Sequence, residues 1–344
     1  MPVKTTPPVT AAIAGAVCIS SSAVLMRLAS TSASITALGR CAFALPVLGA
    51  LALFEHRRGA PRLPSRSRWL ARLAGVFLAG DLILWSHAIT AIGAGLGTVV
   101  TNLQVLIISL LAWLILGERP RRSLVLASPV MLAGLALVGG LAGLGGVHAY
   151  GTDPVLGVVD GVGVAVLYAI YILMLRQATR SLWSSRTRQR LRDGTRTAIA
   201  GVLFEATAGG CAGSVALGFA LHDFHLGPAW PTLGWLALLA LTSQVLGWLL
   251  ITVSMPRLAA GMIGALLLVQ PAGSVALSYV ILGERPSALQ LLGVALVLTG
   301  VLVAVSGRGA RAPEPSPADY PRRSTRIMRQ ASAASTGRSS SKSP

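Results

Sequence analysis

Long apolar runs alternate with short polar segments along most of the chain. Ten of these runs are long enough to cross about 30 Å of hydrocarbon as helices of roughly 20 residues. Their approximate limits are 10–29, 36–54, 70–92, 95–116, 123–140, 155–175, 198–220, 232–254, 258–282 and 288–305. The pattern predicts an all-α integral membrane protein with ten transmembrane helices.

Composition and charge support that prediction. Of the 344 residues, 53% are hydrophobic and only 12% are charged, which excludes a soluble globular domain of ordinary make-up. The net charge is +18, but the arginines fall in short segments between apolar runs instead of on one soluble face. We therefore expect membrane lipids, and not nucleic acid, as partners.

The positive residues also predict the orientation, because such residues in short loops stay on the cytoplasmic side. With the N-terminus inside, 26 of the 29 Lys and Arg residues are cytoplasmic, and Arg27, Arg40 and Arg285 are outside. We expect a multi-pass protein of the bacterial inner membrane with both termini in the cytoplasm.

One short motif occurs twice, as Leu116–Pro120 and as Leu282–Pro286, with the sequence Leu-Gly-Glu-Arg-Pro. The copies are 166 residues apart, and Gln104 and Gln270 each precede the motif's Glu by 14 residues. In a helix-to-helix corner, Gly closes one helix in the left-handed conformation and Pro takes the first position of the next helix. Glu lies near the positive end of that next helix. The repeat indicates that one unit has been duplicated.

Five helices per unit is an odd number, so the second unit enters the membrane from the opposite face. The predicted organisation is a cytoplasmic N-terminus (1–9), a first repeat (10–140), a second, inverted repeat (155–305) and a disordered basic cytoplasmic tail (306–344). Inverted repeats are typical of secondary transporters, whose substrate site lies near the middle of the membrane between the repeats.

Several stretches are similar to one known family. They are Ala112–Pro120, Tyr279–Pro286, Gln290–Val301, Leu38–Arg40 and Gly157–Asp160. The chain resembles, over about residues 8 to 305, the EamA group of the drug/metabolite transporter superfamily. The resemblance implies export of amino acids or other small metabolites. Many relatives carry Glu-Pro where this chain has Gln104-Val105 and Gln270-Pro271, so a carboxylate role is not carried over there.

Polar residues inside the spans are the candidates for a substrate site. When the two units are aligned, Asp81 corresponds to Gln244 and Trp85 corresponds to Trp248. In each unit the polar residue and the Trp are four residues apart and therefore share a helical face. The predicted substrate-binding residues are Asp81, Trp85, Gln104, Gln244, Trp248 and Gln270. The alternative is that they form interhelical hydrogen bonds and packing contacts only.

Asp81 is the sharpest candidate, because a charged Asp at mid-span costs about 2.5–3.5 kcal/mol. It either pairs with Arg27 or Arg40 in a structural role, or it binds a proton or a substrate ammonium. Glu205 is the second candidate for proton coupling, although its position near the cytoplasmic end favours a solvated role.

Tyr168 and Tyr171 are three residues apart, so we expect their rings to face together and to extend the lining of the site. Packing is the more common role of aromatic residues at this spacing.

Two further acidic features have structural interpretations. Asp160 is expected to cap the sixth helix. The outer-loop residues His222, Asp223 and His225 form a short cluster without a further ligand nearby, so we expect no metal site.

No enzyme signature is present. Ser20–Ser22 has no identifiable base partner, and no Gly-rich phosphate loop follows a strand, so neither catalysis nor a cofactor is expected. The sequence predicts a secondary transporter that exports a small metabolite, either an amino acid or an amphipathic or cationic compound. Alternating access, with proton coupling as an option, is the expected mechanism. The alternative is a membrane-embedded binding or scaffold protein that does not transport; a homodimer is compatible with both.

Overall fold

Helices make up nearly all of the chain that the computed structural model describes, which is residues 8–60, 62–116, 122–138, 153–179, 199–224, 230–254 and 269–306. In chain order they are α1 (Pro8–Ser20), α2 (Ser22–Ala29), α3 (Ala33–Arg57), α4 (Ser65–Ile92), α5 (Ala94–Val100), α6 (Gln104–Leu116), α7 (Arg122–Val138), α8 (Pro154–Thr179), α9 (Ile199–Ala220), α10 (Trp230–Leu239), α11 (Trp248–Ser254), α12 (Val269–Leu277) and α13 (Ala288–Ser306). A 3₁₀ turn, Thr101–Leu103, joins α5 to α6, and π-helical segments follow α10 (Ala240–Gly247) and α12 (Ser278–Leu282). No strand occurs in these ranges, so the all-α class is confirmed.

Each of the ten predicted apolar runs contains helix. Within the described ranges, seven helical stretches are long and apolar enough to cross a membrane, and the apolar helices Arg122–Val138, Val269–Leu282 and Ala288–Ala304 are shorter. The chain is therefore a multi-pass membrane protein, while ten crossings stay a prediction. The basic tail and the first copy of the repeated motif, from Gly117, lie outside the described residues.

Helices from the two halves of the chain pack directly against each other: α4 packs on α8 and α9, and α7 packs on α13. Glycines make the closest approaches possible. A Cβ atom at Gly75 in α4 or at Gly209 in α9 would overlap the backbone of the facing helix, and Gly134 and Gly293 meet in the same way between α7 and α13. Small residues at helix interfaces are typical of membrane proteins, because they let backbones come close.

The second copy of the repeated motif forms the predicted corner with one difference. Gly283 closes the preceding helix in the left-handed conformation, at φ +68°. However, α13 begins at Ala288, two residues later than the expected start at Pro286. The Ser287 hydroxyl accepts from Gln290 N at 3.2 Å, and the Gln290 Oε1 accepts from Ser287 N at 2.8 Å. This reciprocal capping box fixes the start of the helix.

Glu284 caps a different helix from the one predicted. Its carboxylate is buried, with 5% exposure, and it accepts hydrogen bonds from Ala94 N at 2.7 Å and Gly95 N at 3.1 Å. It therefore lies at the start of α5, where Gly93 turns the chain with φ +94°. The prediction that Glu284 serves α13 was wrong, because the capping box already serves that helix.

Replacing Glu284 with alanine is expected to destabilise the protein by about 2–3 kcal/mol, since two buried amides lose their acceptor. Glu284→Gln keeps one acceptor oxygen and should cost less. Thermal unfolding of the purified protein in detergent measures the difference. Ser287→Ala removes only the capping box and serves as the control, with an expected loss of about 1 kcal/mol. Equal unfolding temperatures for Glu284→Ala and the wild type would contradict this capping role.

Candidate functional site

A buried arginine connects the two halves of the chain. Arg40 lies in α3 with 5% exposure, and its Nε donates to the Oε1 of Gln244 at 3.0 Å, across 204 residues of sequence. Gln244 is 4% exposed and lies in the π-helical segment Ala240–Gly247. Such segments are frequent at functional sites.

Two side chains of α4 lie beside this arginine. The Arg40 Cζ is 5.9 Å from the centroid of a Trp85 ring, which is a cation–π distance. Asp81, one helical turn earlier and 5% exposed, interacts electrostatically with Arg40. No ion pair joins Asp81 to either Arg27 or Arg40, although all three residues are described. We refer to Arg40, Asp81, Trp85 and Gln244 as the Arg40 cluster.

Three polar atoms of the Arg40 cluster are buried without a partner in the described part of the chain. They are the Oδ1 of Asp81, the Nη1 of Arg40 and the Nε1 of Trp85. Leaving such an atom unsatisfied costs about 1–3 kcal/mol, so three in one cluster need an explanation. One acceptor and two donors together suit a small molecule that carries both an acceptor and a donor.

The two tyrosines of α8 lie next to this cluster. The Tyr168 and Tyr171 ring centroids are 5.7 Å apart, so the rings face together as their spacing predicts. Both tyrosines lie near Asp81 and Arg40, and Tyr171 is almost fully buried. Their part in binding substrate stays a prediction.

Of the remaining predicted site residues, Gln104 and Gln270 have no hydrogen bond to the cluster in the described part of the chain. Gln104 begins α6, Gln270 lies in α12, and both are partly buried. Trp248, the first residue of α11, is also partly buried. Gln244 lies in the π-helical segment, and Trp248 is the residue that directly follows it.

Comparison with known proteins agrees with this architecture. The sequence matches the EamA-like transporter family over residues 6–140 and 155–306. The chain belongs to this family. Its members are membrane transporters and not enzymes, and the two matched segments correspond to the two halves that Arg40 and Gln244 connect.

The fold of this EamA-like protein also has a solved counterpart. A structure recorded only as "Crystal structure of protein" aligns with a TM-score of 0.55 at 19% identity, covering 88% of this chain and 99% of that one. At this identity the match concerns the fold alone. No curated protein shows significant sequence similarity to the chain.

Glu205 is mostly buried and ion-paired in this EamA-like protein, where the sequence favoured a solvated side chain. It is 8% exposed, and its Oε2 lies 2.6 Å from the Nε of Arg72 in an ion pair between α9 and α4. The Arg72 side chain is 46% exposed, so water reaches one side of the pair. Arg72, on the neighbouring helix, balances the negative charge of Glu205, which lies near the end of its span.

Asp160 does not cap the sixth span. It lies inside α8, which begins at Pro154, and Asp153 is the cap. The Oδ1 of Asp153 accepts from Val155 N at 2.9 Å and from Leu156 N at 3.1 Å. The helix starts at Pro154, one residue before the predicted limit of 155, and Asp160 is therefore too far along the helix to cap it.

The outer-loop cluster has a structural role. The Asp223 Oδ2 accepts from Ser34 N at 2.9 Å, and the Asp223 carbonyl accepts from the Ser32 hydroxyl at 2.7 Å, so Asp223 caps α3. No group of His, Cys, Asp and Glu suited to a metal ion occurs among the described residues, which exclude His225.

Proposed function

We propose that this EamA-like transporter is a secondary exporter of a small zwitterionic metabolite, such as an amino acid, in the inner membrane of a bacterium. Ten crossings in two inverted halves, with both termini in the cytoplasm, form its framework. The proposal depends above all on one observation: Arg40 of the first half is buried and hydrogen-bonded to Gln244 of the second. In inverted-repeat transporters the substrate lies where the halves meet.

The unsatisfied atoms suggest how such a substrate binds. A substrate carboxylate accepts from the Arg40 Nη1 and the Trp85 Nε1, and a substrate ammonium donates to the Asp81 Oδ1. A bond between guanidinium and carboxylate, in which both partners are charged, is stronger than the bond from the same guanidinium to the neutral Gln244 amide. A zwitterion is favoured over a cationic amphiphile, since the fixed positive charge of Arg40 repels a lone cation.

The Arg40–Gln244 bond also links binding to movement. When one half rocks against the other, a hydrogen bond between the halves must break or change partner. A substrate carboxylate on the Arg40 Nη1 competes with Gln244 for the same guanidinium, which weakens the bond between the halves and lowers the barrier to that movement. The apolar part of the substrate then contacts the rings of Trp85, Tyr168 and Tyr171. The route that the substrate follows between the two halves is lined by Gln104, Trp248 and Gln270.

Asp81 supplies the proposed coupling to protons. Its carboxylate holds either the substrate ammonium or a proton, so the inward movement of a proton accompanies the outward movement of a substrate. Glu205 is less suited to this role, because Arg72 already neutralises it.

The test is flux in vesicles reconstituted with the full chain. A panel of labelled amino acids and cationic amphiphiles is measured with and without an imposed pH gradient, against protein-free vesicles. We expect flux of at least one amino acid that the gradient accelerates, and none of the cations. Flux of cations alone would contradict the substrate class, and no flux of any compound above protein-free vesicles would contradict transport.

A further inference from the structure

A separate cavity of about 630 Å³ opens where α3 ends and where α4 and α9 begin. Its charged lining consists of Glu55, His56, Arg62, Arg68 and Glu205. Glu55 is 15 residues beyond Arg40 on α3, or about 22 Å at 1.5 Å per residue, so this cavity is distinct from the Arg40 cluster.

The two carboxylates in the lining are already occupied. The Glu55 Oε2 accepts from Ala200 N at 3.0 Å and caps α9, while Glu205 forms its ion pair with Arg72. By contrast, the guanidinium groups of Arg62 and Arg68 have neither an ion-pair nor a hydrogen-bond partner in the described ranges. The charge left available in the cavity is therefore positive, and it suits an anion.

Apolar groups form the other wall and the rim. Leu53 and Phe204 line the cavity, and Leu53 is 62% exposed, on the surface that faces lipid in a membrane-spanning helix. Trp69, next to Arg68, is 69% exposed at the end of the bundle, where tryptophans mark the membrane–water interface. A cavity that is basic on one side and apolar on the other suits an amphipathic anion.

We infer that this cavity binds the headgroup of an anionic phospholipid from the leaflet on the arginine-rich side of the protein. Arg62 and Arg68 contact the phosphate, and Leu53 and Phe204 contact the glycerol and the first methylene groups. Basic pockets between transmembrane helices on the cytoplasmic side bind such headgroups, and that side is the one the positive residues indicate. The bound lipid joins the ends of α3, α4 and α9, and this role does not depend on which metabolite is transported.

The test follows the thermal unfolding of the purified full chain in detergent while lipid is added. Phosphatidylglycerol is compared with phosphatidylcholine and with inorganic phosphate. We expect phosphatidylglycerol to raise the unfolding temperature in a saturable way and the other two to have little effect. In the double variant Arg62→Gln/Arg68→Gln, the half-saturating concentration should rise about tenfold or more, because both phosphate contacts are lost.

The matched control is Arg57→Gln/Arg66→Gln, which removes the same charge from exposed positions outside the cavity. It should bind lipid as the wild type does. Equal weakening in both double variants would mean that general surface charge attracts the lipid, and the inferred site would be wrong. Equal stabilisation by phosphatidylcholine, or protection by inorganic phosphate without any by lipid, would also overturn it.

Discussion

Replacing Arg40 with glutamine is expected to destabilise the protein by about 1–3 kcal/mol, because the buried Asp81 loses the positive charge that lies near it. Adding Asp81→Asn to that variant should restore most of the loss, since the carboxylate that needed the nearby positive charge is then removed as well. Unfolding in mixed micelles, followed by circular dichroism, measures all three proteins.

Arg27→Gln is the matched control for this series. Arg27 is partly buried in α2, is expected on the same side of the membrane as Arg40, and has no ion-pair partner in the described structure. Its replacement should cost less than about 1 kcal/mol. If the single Arg40 variant and the double variant were equally unstable, Arg40 would stabilise the protein through packing and not through charge.

The second large effect is expected where α4 and α9 touch. A Cβ atom at Gly75 would overlap the carbonyl of Ala206, and one at Gly209 would overlap the carbonyl of Arg72. Gly75→Ala or Gly209→Ala therefore forces two backbones apart, which should cost about 3 kcal/mol or more. We expect a large loss of monodisperse protein on size-exclusion chromatography and a lower unfolding temperature.

Gly234→Ala in α10 is the control for the glycine variants, because no atom lies within 4 Å of its added Cβ. It should leave the protein unchanged or slightly more stable, since alanine favours helix over glycine by about 1 kcal/mol. If Gly75→Ala behaved like Gly234→Ala, the close approach of α4 and α9 would not matter for folding.

Local patterns in the sequence predicted the helices and several of their ends. Hydrophobic runs gave every helical region, because a membrane span must satisfy its own backbone hydrogen bonds. Patterns that extend over only a few residues predicted the left-handed conformation of Gly283. The same kind of pattern predicted that the rings of Tyr168 and Tyr171 face together. The capping box of Ser287 and Gln290 could have been found in the same way, from its Ser-x-x-Gln spacing.

Contacts between distant segments could not be predicted in this way. Glu284 caps a helix 190 residues away, and Asp223 caps one 189 residues away, so neither partner is visible in the neighbouring sequence. Glu205 was assigned to solvent because its partner, Arg72, lies on another helix. The duplication alone could not show that Gln244 would lie in a π-helical segment.

Arg40 is the residue whose importance the sequence understated. As a candidate for the site it was considered only as a partner of Asp81, yet the hydrogen bond to Gln244 and the Trp85 ring place it at the centre of the cluster. The available signal was an arginine within an apolar run, which is costly enough to require a function or a partner.

The most direct test of the proposed site is amino acid flux through vesicles that contain the Arg40→Gln/Asp81→Asn variant. This variant is expected to fold as stably as the Arg27→Gln control, so any loss of flux reflects the site and not the fold. We predict flux at least about tenfold below that of the control, and no acceleration by a pH gradient. Flux equal to that of the control, with the same response to the gradient, would contradict a substrate site at the Arg40 cluster.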